Sequence, residues 1–154
     1  MAIYLENAKR SAGRKLPVRE LKKTARRILE LLNQNQAELS IALVKNREIQ
    51  QLNTRYRHKN EPTDVLSFPS GGVLPEGMRL LGDVVISVER AEKQARERGK
   101  TLMEEMESLL IHGILHLLGY DHERSQRDAK IMRGMERKIR RALCGKKGLR
   151  VQLL

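Results

Sequence analysis

Aromatic side chains are nearly missing from this chain, which has no Trp, one Phe and three Tyr. A protein that grips single-stranded nucleic acid by stacking successive bases on aromatic platforms needs more than that. Cysteine is scarcer still. Cys144 is the sole example, so no intrachain disulfide can form, and its place well after the histidines suits an ordinary reduced thiol rather than a ligand. No apolar run is long enough to span a bilayer. The opening Met1-Ala2-Ile3-Tyr4-Leu5-Glu6 lacks the basic-then-apolar order of a secretion signal. Internal repeats and low-complexity segments are missing too. The expectation is a cytoplasmic protein with no membrane partner.

Positive charge, by contrast, is abundant. There are 31 Lys and Arg against 19 Asp and Glu, a formal +12 with a pI near 10.3. Such an excess points toward polyanions. The bland alternative is a merely solvated basic surface. If the polyanion is RNA or DNA, phosphate contacts carry most of the affinity. A length of 154 residues predicts one domain over 1–154, large enough for a core without staples, with a basic tail from about 144.

The elements follow from periodicity. Ala2 to Leu5 reads as a short strand. From Val18, apolar residues recur at Leu21, Ala25, Ile28 and Leu32, a helical face, with Lys22, Lys23, Arg26 and Arg27 around it. Leu39, Ile41 and Leu43 alternate as a strand. Asn46 is expected to cap a helix bearing Ile49, Leu52 and Tyr56. After the polar turn Arg57–Asp64, Val65–Phe68 reads as a strand stopped by Pro69, and Ser70–Arg79 as a connection. Leu80–Ile86 is a strand interrupted at Gly82-Asp83. Ser87 caps a helix ended by Gly99. Thr101 and Glu104 form a capping box for a strongly apolar helix that stops at Gly119, expected to be central and buried. A last helix runs from about Ser125 to Leu143, with Ile131, Met135, Ile139 and Ala142 on one face and arginines on the others. Its methionines read as core filling. Lys146–Arg150 is the basic tail.

Three of the four histidines stand at 112, 116 and 122. A lone His on an apolar helix face is usually a satisfied core residue. His112 and His116, however, are four apart and stack on one helical face. Gly119 then ends the helix, because glycine reaches left-handed angles cheaply, and the chain can turn to bring back His122. Three protein ligands leave a fourth tetrahedral vertex for water, the pattern of a catalytic zinc site. Zinc is the first expectation, and nickel, copper or iron would also accept three nitrogens. A helical zinc protease reads His-Glu-x-x-His, with the Glu as base. Here that position is Gly113. The ligand frame is kept and the base is gone, which argues for different chemistry.

The run His112-Gly113-x-Leu115-His116-Leu117-x-Gly119-Tyr120-Asp121-His122 resembles the YbeY family of bacterial rRNA maturation factors. Leu52-Asn53-x-x-Tyr56-Arg57 with Pro62-Thr63-Asp64-Val65-Leu66-Ser67-Phe68-Pro69, and Leu81-Gly82-Asp83-Val84-Val85-Ile86-Ser87, look like two further signatures. The resemblance covers most of the chain. It implies a single α+β domain in which the strands and helices above form a small mixed sheet of about four strands flanked by about five helices. It implies one zinc held by His112, His116 and His122. It implies a single-strand-specific endoribonuclease that acts on ribosomal RNA and the small ribosomal subunit, at the 3′ end of the small-subunit rRNA, and in ribosome quality control. The family's functionally important arginine falls on Arg57. The basic last helix and tail lie outside the signatures.

The chemistry suits these residues. Arg57 could grip phosphoryl oxygens with its planar guanidinium, and His112 joins it as a catalytic candidate through the metal. Whether water or the RNA's own 2′-hydroxyl attacks is open. Asp121 and Glu123 flank the third ligand, and either could orient an imidazole, as could Asp64 or Asp83. The competing reading for each is a turn or cap carboxylate. His58 is expected to be an exposed loop residue. Two rival functions stand beside the nuclease: a metal-dependent peptidase of the three-histidine type, and a non-enzymatic, metal-stabilised ribosome assembly factor. Oligomeric state cannot be read from the sequence.

Overall fold

A computed structural model describes residues 1–7, 16–145 and 151–153. The elements run β1 (Ala2–Asn7), α1 (Val18–Leu31), β2 (Ala37–Val44), α2 (Asn46–Arg57), β3 (Val65–Val73), β4 (Arg79–Ser87), α3 (Val88–Arg98), α4 (Leu102–Leu117) and α5 (Gln126–Cys144). The strands form one mixed sheet in the order β1-β2-β4-β3. β1, β2 and β4 are parallel, and β3 lies antiparallel to β4 at the edge.

Alternation along the strands divides the apolar residues between two faces. Leu39, Ile41 and Leu43 of β2, with Val84 and Ile86 of β4, enter the main core beneath α1 and α4. α5 packs outside on those two helices, through Met132, Met135 and Ile139. Ile49, Leu66 and Val85 make a smaller cluster under α2 on the opposite face. α4 is the central helix. Met106, Leu110, Ile111, Ile114 and Leu115 are fully buried, and each such side chain contributes about 1.5–3 kcal/mol of transfer free energy.

Local signals set most boundaries. Thr101 Oγ1 accepts from Glu104 N at 3.1 Å while Glu104 Oε1 accepts from Thr101 N at 3.3 Å, so the capping box is complete. Ser87 and Ser125 cap α3 and α5 by accepting from Arg90 N and Asp128 N. Asn46 does something else. Lys45 is the N-cap of α2 and Asn46 is already helical. Its backbone N–H donates to Glu89 Oε1 at 3.0 Å and its side-chain oxygen accepts from Ser87 Oγ at 2.6 Å. A neighbouring helix thus supplies the cap.

Pro69 does not stop β3, which continues to Val73. An edge strand tolerates proline because one side of its ladder is unpaired. The pairing shifts register there, from Pro69 opposite Gly82 to Gly72 opposite Leu80. Gly82 likewise does not interrupt β4. It takes φ +129°, and a Cβ would run into the Phe68 carbonyl oxygen, so only glycine allows this crossing. The expected basic tail at Lys146–Arg150 lies outside the described residues. Beyond it, Val151 is buried and its N–H donates to Leu31 O at 2.8 Å.

Candidate metal centre

α4 ends in a two-bond cap that turns the chain. Gly119, at φ +99°, donates its N–H to His116 O at 3.0 Å, and Tyr120 N donates to Leu115 O at 3.1 Å. This is the Schellman pattern that a left-handed glycine permits. The turn carries His122 back over the helix. The ring centroids of His112, His116 and His122 lie 4.9–5.3 Å apart. One ligand nitrogen from each falls within 4.8 Å of the other two. His116 Nε2 and His122 Nδ1 approach to 3.3 Å. Two nitrogens bound at 2.0–2.1 Å to a tetrahedral ion stand about 3.3 Å apart, so this pair already fits one. Burial, then the neighbouring His112 and His122, hold the His116 imidazole below its ordinary pKa. That shift favours the neutral ring, whose lone pair can take a metal. His112 and His116 are half-buried and His122 is exposed. All three line an open cleft of about 800 Å³, which leaves room for a fourth ligand.

The residue that orients an imidazole is Glu136, on α5. Its Oε1 lies 3.0 Å from His112 Nδ1. That contact occupies one ring nitrogen and leaves Nε2 available, the usual carboxylate–histidine support of a metal ligand. Sequence reading missed it. A signal was present, because Glu136 and Asp128 are the only acids in the otherwise basic α5, and Glu136 adjoins the buried Met135.

The expected carboxylates take other places. Asp121 Oδ1 accepts from Glu123 N at 2.9 Å, which shapes the turn holding His122. That backbone bond, first among the causes, keeps the Asp121 carboxyl below its ordinary pKa. Glu123 Oε1 stands 3.9 Å from His122 Nε2, beyond hydrogen-bond reach. Its firm partner is Arg57, whose Nη2 donates to Oε1 at 3.1 Å and Oε2 at 3.4 Å. Arg57 closes α2 and reaches the cleft beside the histidines. Asp64 also lines the cleft, but its Oδ2 accepts from Gln94 Nε2 at 3.3 Å. Asp83 is exposed in β4 and lies outside the cleft lining, because the strand pleat turns it away from the face where Val84 meets α4. His58 is exposed and caps α2 at φ 59°.

Gly113 has a steric reason. A Cβ there would lie 2.6 Å from Val84 Cγ1 and 3.3 Å from Ser67 Oγ. Ser67 Oγ also donates to Gly113 O at 3.0 Å. The position is pressed against the sheet, so this packing has no room for the glutamate of a helical zinc protease.

The fold and the site together define a class: small α+β proteins with three imidazoles, from one helix and the turn after it, grouped in an open cleft where they could hold a metal ion. Within that class the chain belongs to the endoribonuclease YbeY family, whose sequence model matches residues 6–144. It is 52% identical over 119 residues to the endoribonuclease YbeY of Sulfurihydrogenibium sp., covering 77% of this chain and 78% of that one. It is 48% identical over 123 residues to that of Aquifex aeolicus, covering 80% and 81%. A solution structure of a Thermotoga maritima protein superposes with a TM-score of 0.59 at 31% identity, covering 89% of this chain and 85% of that chain.

Proposed function

We propose that this chain is a zinc-dependent endoribonuclease that cuts single-stranded RNA in the cytoplasm. Its proposed substrate is ribosomal RNA on the small ribosomal subunit, at the 3′ end, in rRNA maturation and ribosome quality control. The observation that carries the reading is the convergence of three imidazoles in an open cleft, one of them braced by a carboxylate. The names of the relatives supply the substrate class.

His112, His116 and His122 would be the ligands, with Glu136 fixing the His112 tautomer. When bound, a divalent ion supplies Lewis acidity toward a phosphoryl oxygen and toward water. Arg57 supplies the second charge. Its pair with Glu123 is partly exposed, at 35% and 55% of side-chain area, and exposed pairs contribute only about 0–1 kcal/mol. An incoming phosphate can therefore displace Glu123 cheaply, and the guanidinium then grips two oxygens as negative charge grows on them. Such placed charge contributes about 2.7–4 kcal/mol per donor elsewhere. Asp121 keeps the His122 turn in shape.

Gly113 disfavours the peptidase alternative, because the base that chemistry needs has no room. The assembly-factor alternative is separated by experiment. Purified protein should hold one equivalent of metal and cut single-stranded RNA. His116→Ala should lose both ion and cleavage. Arg57→Ala should keep ion and fold while cleavage falls about 100-fold or more. Full metal occupancy in His116→Ala would refute the site. Cleavage that survives both substitutions would trace to a contaminating nuclease and leave the assembly-factor reading.

A further inference from the structure

The cleft does not end at the histidines. It runs along α4 toward that helix's N-terminus, where Arg98 from α3, Lys100 from the α3–α4 connection and Arg140 from α5 all line it. Glu105, Ser108, His112 and His116 share the cleft-facing side of α4 at helical spacing. At 1.5 Å per residue, Glu105 lies about 10 Å along the axis from His112. Arg140 is one turn beyond Glu136 on α5, and its charge acts on Glu107 of α4, which lies outside the cleft lining. All three cations line the cleft, Arg98 through Glu105 near the N-terminus of α4 and Arg140 beside Glu136.

Glu105 is the informative residue. It is fully buried, its Oε1 accepts from Arg98 Nη1 at 2.6 Å, and its Oε2 has no partner among the described residues. An ion pair whose carboxylate is buried is a poor source of stability, because desolvating that charge offsets much of the attraction. What it does accomplish is position. One of the five donors of Arg98 is consumed, and its side chain, 55% exposed, is held in the cleft wall with the other donors left over. Three cations thus line the cleft there, Arg98 held firmly by Glu105, Arg140 met only loosely by Glu136 at 3.9 Å, and Lys100 without a side-chain hydrogen bond among the described residues.

We propose that Arg98, Lys100 and Arg140 form an anion subsite for a backbone phosphate of the single-stranded RNA, next to the one cut at the histidines, with Glu105 as the positioning residue for Arg98. The identity of the strand rests on the endoribonuclease reading above; the subsite itself rests on the cleft. The contact is with phosphate, so it fixes the strand's path and carries no base preference.

The test is anisotropy binding of 2′-O-methyl single-stranded oligonucleotides of increasing length to metal-loaded protein, over a salt series. The wild type should gain affinity in a step once the strand reaches the subsite. Arg98→Ala/Lys100→Ala/Arg140→Ala should lose that step, weaken binding of the longer strands about tenfold, and flatten the log Kd against log salt slope by about 0.7 for each phosphate released. Glu105→Gln, which keeps shape but not charge, should lose part of the same step. An equal triple replacement of the exposed Lys22, Lys23 and Arg26 on α1 is the control for bulk charge. If it removes the step as well, or if the cleft triple variant keeps it, the subsite is wrong. A wild type that shows the step yet leaves unmodified RNA whole would instead refute the endoribonuclease reading and retain the subsite.

Discussion

α4 has two flanks that obey different rules. The flank against the sheet is closed: Ile114, Leu110 and Met106 are fully buried, and Gly113 sits so near Val84 that a Cβ cannot enter without movement. The flank on the cleft is open, and Glu105, His112 and His116 each meet a side chain from another segment there. Glu136 reaches in from α5, Arg98 from α3, and His122 from the turn after the helix. The closed flank sets the helix rigidly on the sheet, and that rigidity lets the open flank hold three imidazoles with a ligand nitrogen of each within 4.8 Å of the others. Breaking the two flanks should therefore give separable defects.

The largest defect belongs to the closed flank. Gly113→Glu would place a bulky, charged side chain against Val84 in a packed contact. Overpacking together with an unpaired buried charge predicts a loss of about 3–5 kcal/mol, or a Tm lower by roughly 10 °C at this size. Thermal unfolding monitored by circular dichroism measures it. The variant should also show no peptidase activity, although it restores the protease sequence. A Tm within a degree or two of wild type would mean that α4 does not lie against β4 as described.

The open flank should fail in function first. Glu136→Gln keeps the side chain's shape and removes its charge, so the support under His112 weakens. Metal affinity is expected to fall about 10–100-fold, the usual effect of losing such a partner. Competition against a chromophoric chelator reads this directly. The metal-free Tm should barely move, because Glu136 is not part of the apolar core. Unchanged affinity would reduce the 3.0 Å contact to a bystander.

These two positions also mark what could be read from the sequence. The histidine spacing, the capping box at Thr101 and the caps at Ser87 and Ser125 are local: each depends on residues a few places apart on one chain segment, and the structure has all of them where the pattern puts them. Glu136 was not legible because its role depends on how α5 is rotated against α4, which only tertiary packing decides. The same holds for Asn46, whose cap position is taken over through Glu89 and Ser87. Asp83 lies outside the cleft for the converse reason: it belongs to a signature run in sequence, but a strand sends neighbours to opposite faces. Gly113 was noticed for the base it lacks, whereas its physical cause is a neighbour 29 positions away in sequence, Val84.

The smallest effect probes the point where both flanks begin. Thr101→Ala removes one half of the capping box and should cost about 1 kcal/mol of stability, a Tm shift of roughly 2–4 °C at this size. Fraying is confined to the first turn of α4. His112 lies about three turns further along, where Gly113 already locks the helix to the sheet. Metal affinity should therefore match wild type even though stability does not, the reverse of Glu136→Gln. If Thr101→Ala loosened metal binding as well, rigidity at the histidines would have to be transmitted from the helix terminus rather than supplied locally by the sheet contact.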